Sequence, residues 1–279
     1  MTAKQPRMGG RAARHALRSA PIPPDERPVQ PGQSGGRFQP LSQSDVDRVH
    51  HAALDALETI GLANALPSQV ELFTQAGCSM SEDGRLKFPR ALVEDTVASA
   101  ARTIVLHGQE ERYDLDLSGE RVYFGTAGAA VHVVDIEKRA YRDSTISDLY
   151  DAARLVDRME HIHFFQRSMV PRDLEDPREM DFNTCYASVH GTTKHVGTSF
   201  VLPEHADESI DMLELIAGGE KLWRERPFVS CSCCFVVPPL RFAEDACRVL
   251  ETCVRRGMPI LLLAAGQAGA TSPAALAGA

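Results

Sequence analysis

From about residue 122 onward, the chain repeats one pattern: a short apolar run, a loop, and an amphipathic helical stretch. The runs His161 to Gln166, His195 to Val201, Phe228 to Val236 and Ile260 to Ala264 are strand-sized. Thr145 and Asp148 are spaced to cap a helix whose inner face would be Leu149, Ala152, Val156 and Met159. Further helices are predicted over Glu179 to Val189, from Pro203 with Ile210, Leu213 and Ala217 inward up to Gly218-Gly219, and over Arg241 to Arg256. The last would carry Phe242, Ala246, Val249 and Cys253 inward and close at Gly257. Strands separated by helices of this length must run parallel, because each crossover returns the chain to the same end. Apolar runs without alternation suit strands covered on both faces.

The expected fold class is α/β, a TIM (β/α)₈ barrel truncated after about five units, since an eight-unit barrel takes roughly 250 residues. The alternative on the same pattern is an open doubly wound sheet, complete as it stands. The last stretch, Thr271 to Ala279, reads as a helix just starting, so the chain is expected to be part of a longer one.

Upstream the character differs. Residues 1 to 40 are rich in Pro, Gly, Arg and Gln and are expected to form a disordered tail. Residues 41 to 103 read as a small helical N-terminal unit. One helix begins at Ser42 with Asp45 three residues on and stops at Gly61. A second runs from Pro67 to Ala76, and a third from Pro89 to Ala101. Residues 104 to 279 would hold a β-rich approach and the first part of the barrel.

A net charge of -8 argues against nucleic acid as a partner. No apolar run reaches the ~18 residues of a membrane span, which argues against a membrane protein. The basic run Arg7 to Arg18 is followed by no apolar segment of the secretory kind. Seven cysteines without framework spacing suit reduced thiols in the cytoplasm. A homo-oligomer stays open.

In parallel α/β folds the functional groups sit where strands end. On position alone the candidate substrate-binding residues are Thr126, Gln166, Arg167, Ser199, Cys231 and Gln267, with no catalytic residue identified and no metal ligand expected. Cys231-Ser-Cys-Cys234 invites a zinc reading. Alternation, however, points Cys231 and Cys233 one way and Cys234 the other, so buried structural thiols are favoured. His161 and His163 share a face at ligand-like spacing, although hydrogen-bonded structural histidines account for them and for His195 as well. Phe164, Phe165, Phe200 and Phe235 lie near strand ends, where aromatic faces can hold a quaternary ammonium. Gly125-Thr-Ala-Gly128 lacks a dinucleotide pattern.

Several motifs in order carry a resemblance: Leu41-Ser-Gln-Ser-Asp-Val-Asp, Leu57-Glu-Thr-Ile-Gly61, Ala76-Gly-Cys, Phe88-Pro-Arg-Ala-Leu-Val93, Phe124-Gly-Thr-Ala-Gly128, Arg142-Asp-Ser-Thr-Ile-Ser-Asp-Leu149 and Gly269 to Gly278. In this combination residues 37 to 279 resemble the N-terminal part of the trimethylamine methyltransferase family, with residues 1 to 36 outside the resemblance. The resemblance implies a TIM barrel that moves a methyl group from a tertiary or quaternary amine, of the trimethylamine or glycine betaine type, to cob(I)alamin. That cobalamin is carried by a partner corrinoid protein, and no cofactor is held tightly by this chain. Some members carry pyrrolysine, at a position that would lie beyond residue 279. A chain cut short in this way is expected to lack activity alone. The competing readings are a non-catalytic methylated-amine-binding barrel or inactive fragment, and a metal-dependent enzyme using the cysteine run.

Overall fold

Caps and glycines set the helix limits in the N-terminal region. A computed structural model describes residues 29–264, 266–272 and 274. Strand β1 (Gln33–Ser34) precedes helix α1 (Gln43–Asp55), where the Ser42 hydroxyl accepts the Asp45 N–H. A π-helical turn, Ala56–Ile60, extends α1 to Gly61. Gly61 has φ 73°, and a Cβ there would collide with the Leu86 carbonyl, so only glycine fits this close approach. Helix α2 (Pro67–Gln75), the hairpin β2 (Ser79–Met80) and β3 (Leu86–Lys87), and helix α3 (Arg90–Ser99) follow.

Next comes a series of short antiparallel pairs. They join β4 (Val105–Leu106) to β5 (Leu115–Asp116), β6 (Arg121–Val122) back to β1, and β7 (His132–Asp135) to β8 (Ala140–Asp143). The β1–β6 pair corrects the expectation of a disordered 1–40 segment for its last part. Gly35 lies so close to Val122 that any side chain would overlap it, which lets β1 lie against β6. The rest of that segment, residues 1–28, lies outside the described residues.

The remaining elements are α4 (Ile146–Asp157), β9 (Phe164–Gln166), α5 (Pro177–Gly191), β10 (His195–Thr198), α6 (Pro203–Ala217), α7 (Glu220–Glu225), β11 (Val229–Val237), β12 (Arg241–Phe242), α8 (Glu244–Arg255) and β13 (Ile260–Ala264). Strands β9, β10, β11 and β13 pair in parallel and in sequence order, with His195 opposite Phe164, Val196 opposite Val229 and Cys231 opposite Ile260. On the outer side of β9, Gly125 makes a parallel bridge to Phe164, so the segment after β6 takes the place of a preceding strand.

Helix α4 packs on α5, α5 on α6, and α6 on α8. One apolar core binds this layer to the strands. It joins Cys185 and Val189 of α5, Ile210 and Leu213 of α6, and Val249 and Cys253 of α8 to Val196, Val229 and Cys231. Sequential order with the crossover helices in one layer is single winding. It does not match a doubly wound sheet, which reverses strand order and covers both faces. The molecule is thus mixed α/β, and among the described residues the sheet does not close: Leu261, Leu262 and Leu263 of β13 are exposed. No helix of the described residues is long and apolar enough to cross a membrane.

Four details differ from the sequence reading. Ala153, not Ala152, is the fully buried alanine of α4, and Met159 falls beyond the helix and is exposed. Arg241 and Phe242 form a strand instead of starting a helix. The Pro238-Pro239 turn folds them back onto Val236 and Val237, and α8 starts at Glu244. Helix α7 was not anticipated; it brings Trp223 into the core behind Gly218-Gly219. The strands β9 and β10 are shorter than the apolar runs. Most of the stretch read as a starting helix at Thr271 to Ala279 lies outside the described residues.

Candidate functional site

Alternation sorts the strand side chains into two sets. Phe165, Val196, Val229 and Cys231 face the helices. His195 and Ser230 meet on the opposite, inner face, as do Gln166 and Ser232.

The lower inner layer is a seal. His195 is 1% exposed; its Nδ1 lies 2.7 Å from the His107 carbonyl and its Nε2 3.0 Å from Ser230 Oγ. Burial pushes its pKa down to about 4, so the ring is neutral, Nδ1–H donating to the carbonyl and Nε2 accepting from the hydroxyl. His107 sits on Asp114, which also takes the Gly108 N–H and both Arg226 Nη groups, at 3.0 and 2.9 Å. Burial pushes the Asp114 carboxyl up, but the hydrogen bonds from Arg226, His107 and Gly108 outweigh it and hold the group below the usual range. The turn between β4 and β5 is thereby pinned across the N-terminal ends of the strands.

At that same end, buried Lys194 donates to the carbonyls of Val156, Met159 and Ile162 at 2.7, 2.6 and 2.6 Å, closing the end of α4. Burial lowers its pKa to about 8. A cavity of about 530 Å³ beside it, lined by Arg112, Tyr113, Asp157 and His163 among others, lies away from the C-terminal strand ends.

The upper inner layer is polar and uncharged. Thr126 Oγ1 donates to the Gln166 carbonyl at 2.6 Å and accepts the Gln166 N–H at 2.9 Å, tying the Gly125 segment to β9. The Gln166 side chain crosses β10 and donates from Nε2 to Ser232 Oγ at 3.2 Å. It crosses at Gly197, where a Cβ would overlap the Gln166 carboxamide oxygen.

Arg167 is half-buried one residue past β9, its Nη1 3.5 Å from the Ser199 carbonyl. Burial lowers its pKa, and the charge of Asp181 opposes that shift. Asp181, fully buried on α5, accepts the Val201 N–H at 2.7 Å and lies 2.9 Å from His205 Nδ1 through Oδ2. Among the described residues its Oδ1 is buried with no hydrogen-bond partner.

Of the six sequence candidates, the structure brings Thr126 and Gln166 together, and Arg167 with Ser199 beside them. Cys231 lies instead in the helix-facing core, 1% exposed, its thiol raised by hydrogen bonding to Cys253 and by burial. Gln267 is exposed in the turn after β13, its carbonyl accepting the N–H groups of Ala270, Thr271 and Ser272, apart from the others.

Cys233 is also buried, and burial first, then neighbouring thiols, push it up to about 12, so both thiols stay protonated at neutral pH. His163 Nδ1 takes the Phe124 N–H at 2.9 Å, and His161 Nδ1 lies 3.1 Å from the Val29 carbonyl. No three His, Cys, Asp or Glu residues are grouped for a metal among the described residues. Phe165 and Phe200 pack into the helix-side cores, and Phe235 packs against the N-terminal unit.

Sequence reasoning missed Gly197, Asp181 and His205, and from the run Cys231 to Cys234 it took Cys231 instead of Ser232. A glycine inside the apolar run His195-Val-Gly-Thr198 is the one available signal, because strand glycines mark close approach.

Comparison with known proteins adds the following. The family model described as trimethylamine methyltransferase (MTTB) matches residues 7–279, reaching well into the segment first placed outside the resemblance. The trimethylamine methyltransferase MttB of Desulfitobacterium hafniense (strain DSM 10664 / DCB-2) is 31% identical over 239 residues, covering 85% of this chain and 48% of the relative. MttB2 of Methanosarcina mazei is 27% identical, covering 88% of this chain and 50% of the relative. The glycine betaine methyltransferase of Desulfitobacterium hafniense (strain Y51) is 24% identical, over 88% of this chain and 51% of the relative. The chain thus spans about half the length of the curated relatives it matches.

Proposed function

Because this chain belongs to the trimethylamine methyltransferase family, we propose that it is the N-terminal part of a (β/α)₈-barrel methyltransferase. The reaction moves a methyl group from a tertiary or quaternary methylated amine to the corrinoid of a partner protein, in the cytoplasm. Singly wound parallel strands in sequence order support the barrel. The observation that carries the site is the upper inner layer, where Thr126 and Ser232 gather around Gln166 at the C-terminal end of β9.

When the partner docks, its reduced corrinoid supplies the nucleophile for an in-line displacement at an N-methyl carbon. Such a displacement needs placement more than an acid or base. The residues at the mouth suit that task. The Gln166 oxygen and the Ser232 hydroxyl present oriented dipoles on the inner face. Gly197 leaves room for the Gln166 side chain to lie across the sheet. The lower seal of His195, Ser230 and the pinned β4–β5 turn closes the far end of the site against water.

The test is direct. Purified full-length protein, of which this chain is the N-terminal part, mixed with a reduced corrinoid protein and either trimethylamine or glycine betaine, is expected to give the absorbance change of methylcobalamin formation. No methylation from any methylated amine would overturn the reading.

A further inference from the structure

We propose that Asp181 is a positioning residue for the amine site: from within the helix layer it fixes the loop after β10, residues 199–202, and through that loop the strand end across which Gln166 reaches Ser232. This rests on the proposed amine site and adds to it a residue that touches neither amine nor corrinoid. Helix α6 begins at Pro203, and Leu202 at its N-cap makes no side-chain hydrogen bond, so the cap residue does not anchor the start of the helix. The anchor comes from the neighbouring helix α5. Asp181 Oδ2 accepts the Val201 N–H at 2.7 Å, one residue before the cap, and lies 2.9 Å from Nδ1 of His205 in the first turn of α6.

A carboxylate buried among helices is costly unless its oxygens are bonded. Asp181 is fully buried, and among the described residues its Oδ1 has no hydrogen-bond partner. Stability alone would favour an apolar residue at such a position. What the carboxylate supplies is direction: one oxygen fixes two groups, on either side of the turn into α6. The same loop is also held from β9. The half-buried Arg167 guanidinium, on the helix-facing side where the charge of Asp181 acts on it, lies 3.5 Å from the Ser199 carbonyl. The Arg167 N–H donates to the Gly197 carbonyl at 2.8 Å. Ser199 is two residues past Gly197, where the Gln166 carboxamide crosses the sheet toward Ser232. A loop released at Val201 therefore shifts the peptide groups that set the Gln166 side chain.

The experiment measures methylcobalamin formation by the full-length protein with trimethylamine and with glycine betaine, varying amine and corrinoid protein separately. Each variant is assayed well below its own melting temperature, so that all of it is folded. Asp181→Ala should lower kcat/KM for the amine roughly 10- to 100-fold, the scale of a small misplacement of reacting groups, with KM for the corrinoid protein unchanged. Asp181→Asn keeps an acceptor for the Val201 N–H at the same volume and should recover most of that loss. Should Asp181→Ala fail to fold by circular dichroism, His205→Ala removes one of the two tethers and should raise the amine KM several-fold. A folded Asp181→Ala variant with unchanged kcat/KM for the amine would assign Asp181 to stability alone and overturn the inference. So would equal losses toward amine and corrinoid protein, an asparagine variant no better than alanine, or, in the second case, an unchanged amine KM in His205→Ala. In each of those cases the wild-type protein still turns over and the amine site stands, whereas a wild-type protein inactive with both amines overturns that site and the inference with it.

Discussion

The two faces of the β10–β11 pair are built by different forces, although they are made of alternate residues of the same strands. On the helix side, Val196 and Val229 are fully buried against Ile210, Leu213, Trp223 and Val249. That face is held by burial, which is strong, non-directional and indifferent to small rotations. On the inner side, His195 and Ser230, and Ser232 with Gln166 of neighbouring β9, are held by individual hydrogen bonds of defined geometry. Each such bond is worth about 1 kcal/mol net, so this face adds little stability and much orientation. The difference teaches where stability and function separate in this fold: changes on one side should be read in melting, and changes on the other in binding.

The comparison breaks first at Ile210. Ile210→Ala empties volume in the shared helix–strand core and should cost about 2–5 kcal/mol. Trp223, the chain's one tryptophan and fully buried in that core, reports the loss by fluorescence during chemical denaturation. A cost below about 1 kcal/mol would mean the helix layer is not tightly packed.

Acid should strike the other face. His195 has its folded pKa lowered to about 4 from the ordinary 6.5, so its contribution is fully present above pH 6.5 and is lost as pH falls toward 4. The loss is on the order of 3 kcal/mol at about 1.4 per pH unit. His195→Gln should flatten stability between pH 6.5 and 4 in urea titrations, and an unchanged slope would show the ring is not held neutral.

The parallel pairing of the strands was written in the sequence, because helices between apolar runs leave it as the available geometry, whereas single winding rather than double came only from the strand order. Local caps were equally legible, since Ser42, Thr145 and Gly257 act through backbone groups a few residues away. What stayed hidden depended on tertiary distance. Nothing near Ser232 in sequence marks it as the partner of Gln166, 66 residues earlier. Asp181 reads as an ordinary helix residue until α6 brings His205 against it. Cys231 was expected at the end of a strand but lies near the start of β11, and on the helix-facing side. The apolar run gave its position without the phase, which only the packing of Cys253 fixes.

Asp148 offers a smaller effect, outside both faces. Its carboxylate is held well below the usual range by Arg142, with Thr145 adding hydrogen bonds, against the opposing effect of partial burial. Arg142 meets it through two contacts of 2.6 Å. A depressed carboxylate stabilises above its unfolded pKa of about 3.9 and loses that contribution as pH falls below it. Asp148→Asn should therefore cost about 1 kcal/mol at pH 7, the scale of a lost cap, and the gap to wild type should narrow on acidification toward pH 2. A gap that is constant with pH would remove the ionised carboxylate from the account.

Gly197→Ala should be the gentlest change to stability and the sharpest test of the two-face distinction. The new methyl meets the Gln166 carboxamide and not backbone, so the long side chain can swing away at the loss of one hydrogen bond, about 1 kcal/mol. The helix-facing residues on either side, Val196 and Thr198, are untouched, so the melt should stay cooperative. Yet the swing takes the oriented dipole off the inner layer, and methylated-amine binding should fall far more than stability does. If the alanine variant melts several degrees lower and still binds amine normally, then the inner face is structural after all, and orientation at Gln166 is not what the glycine protects.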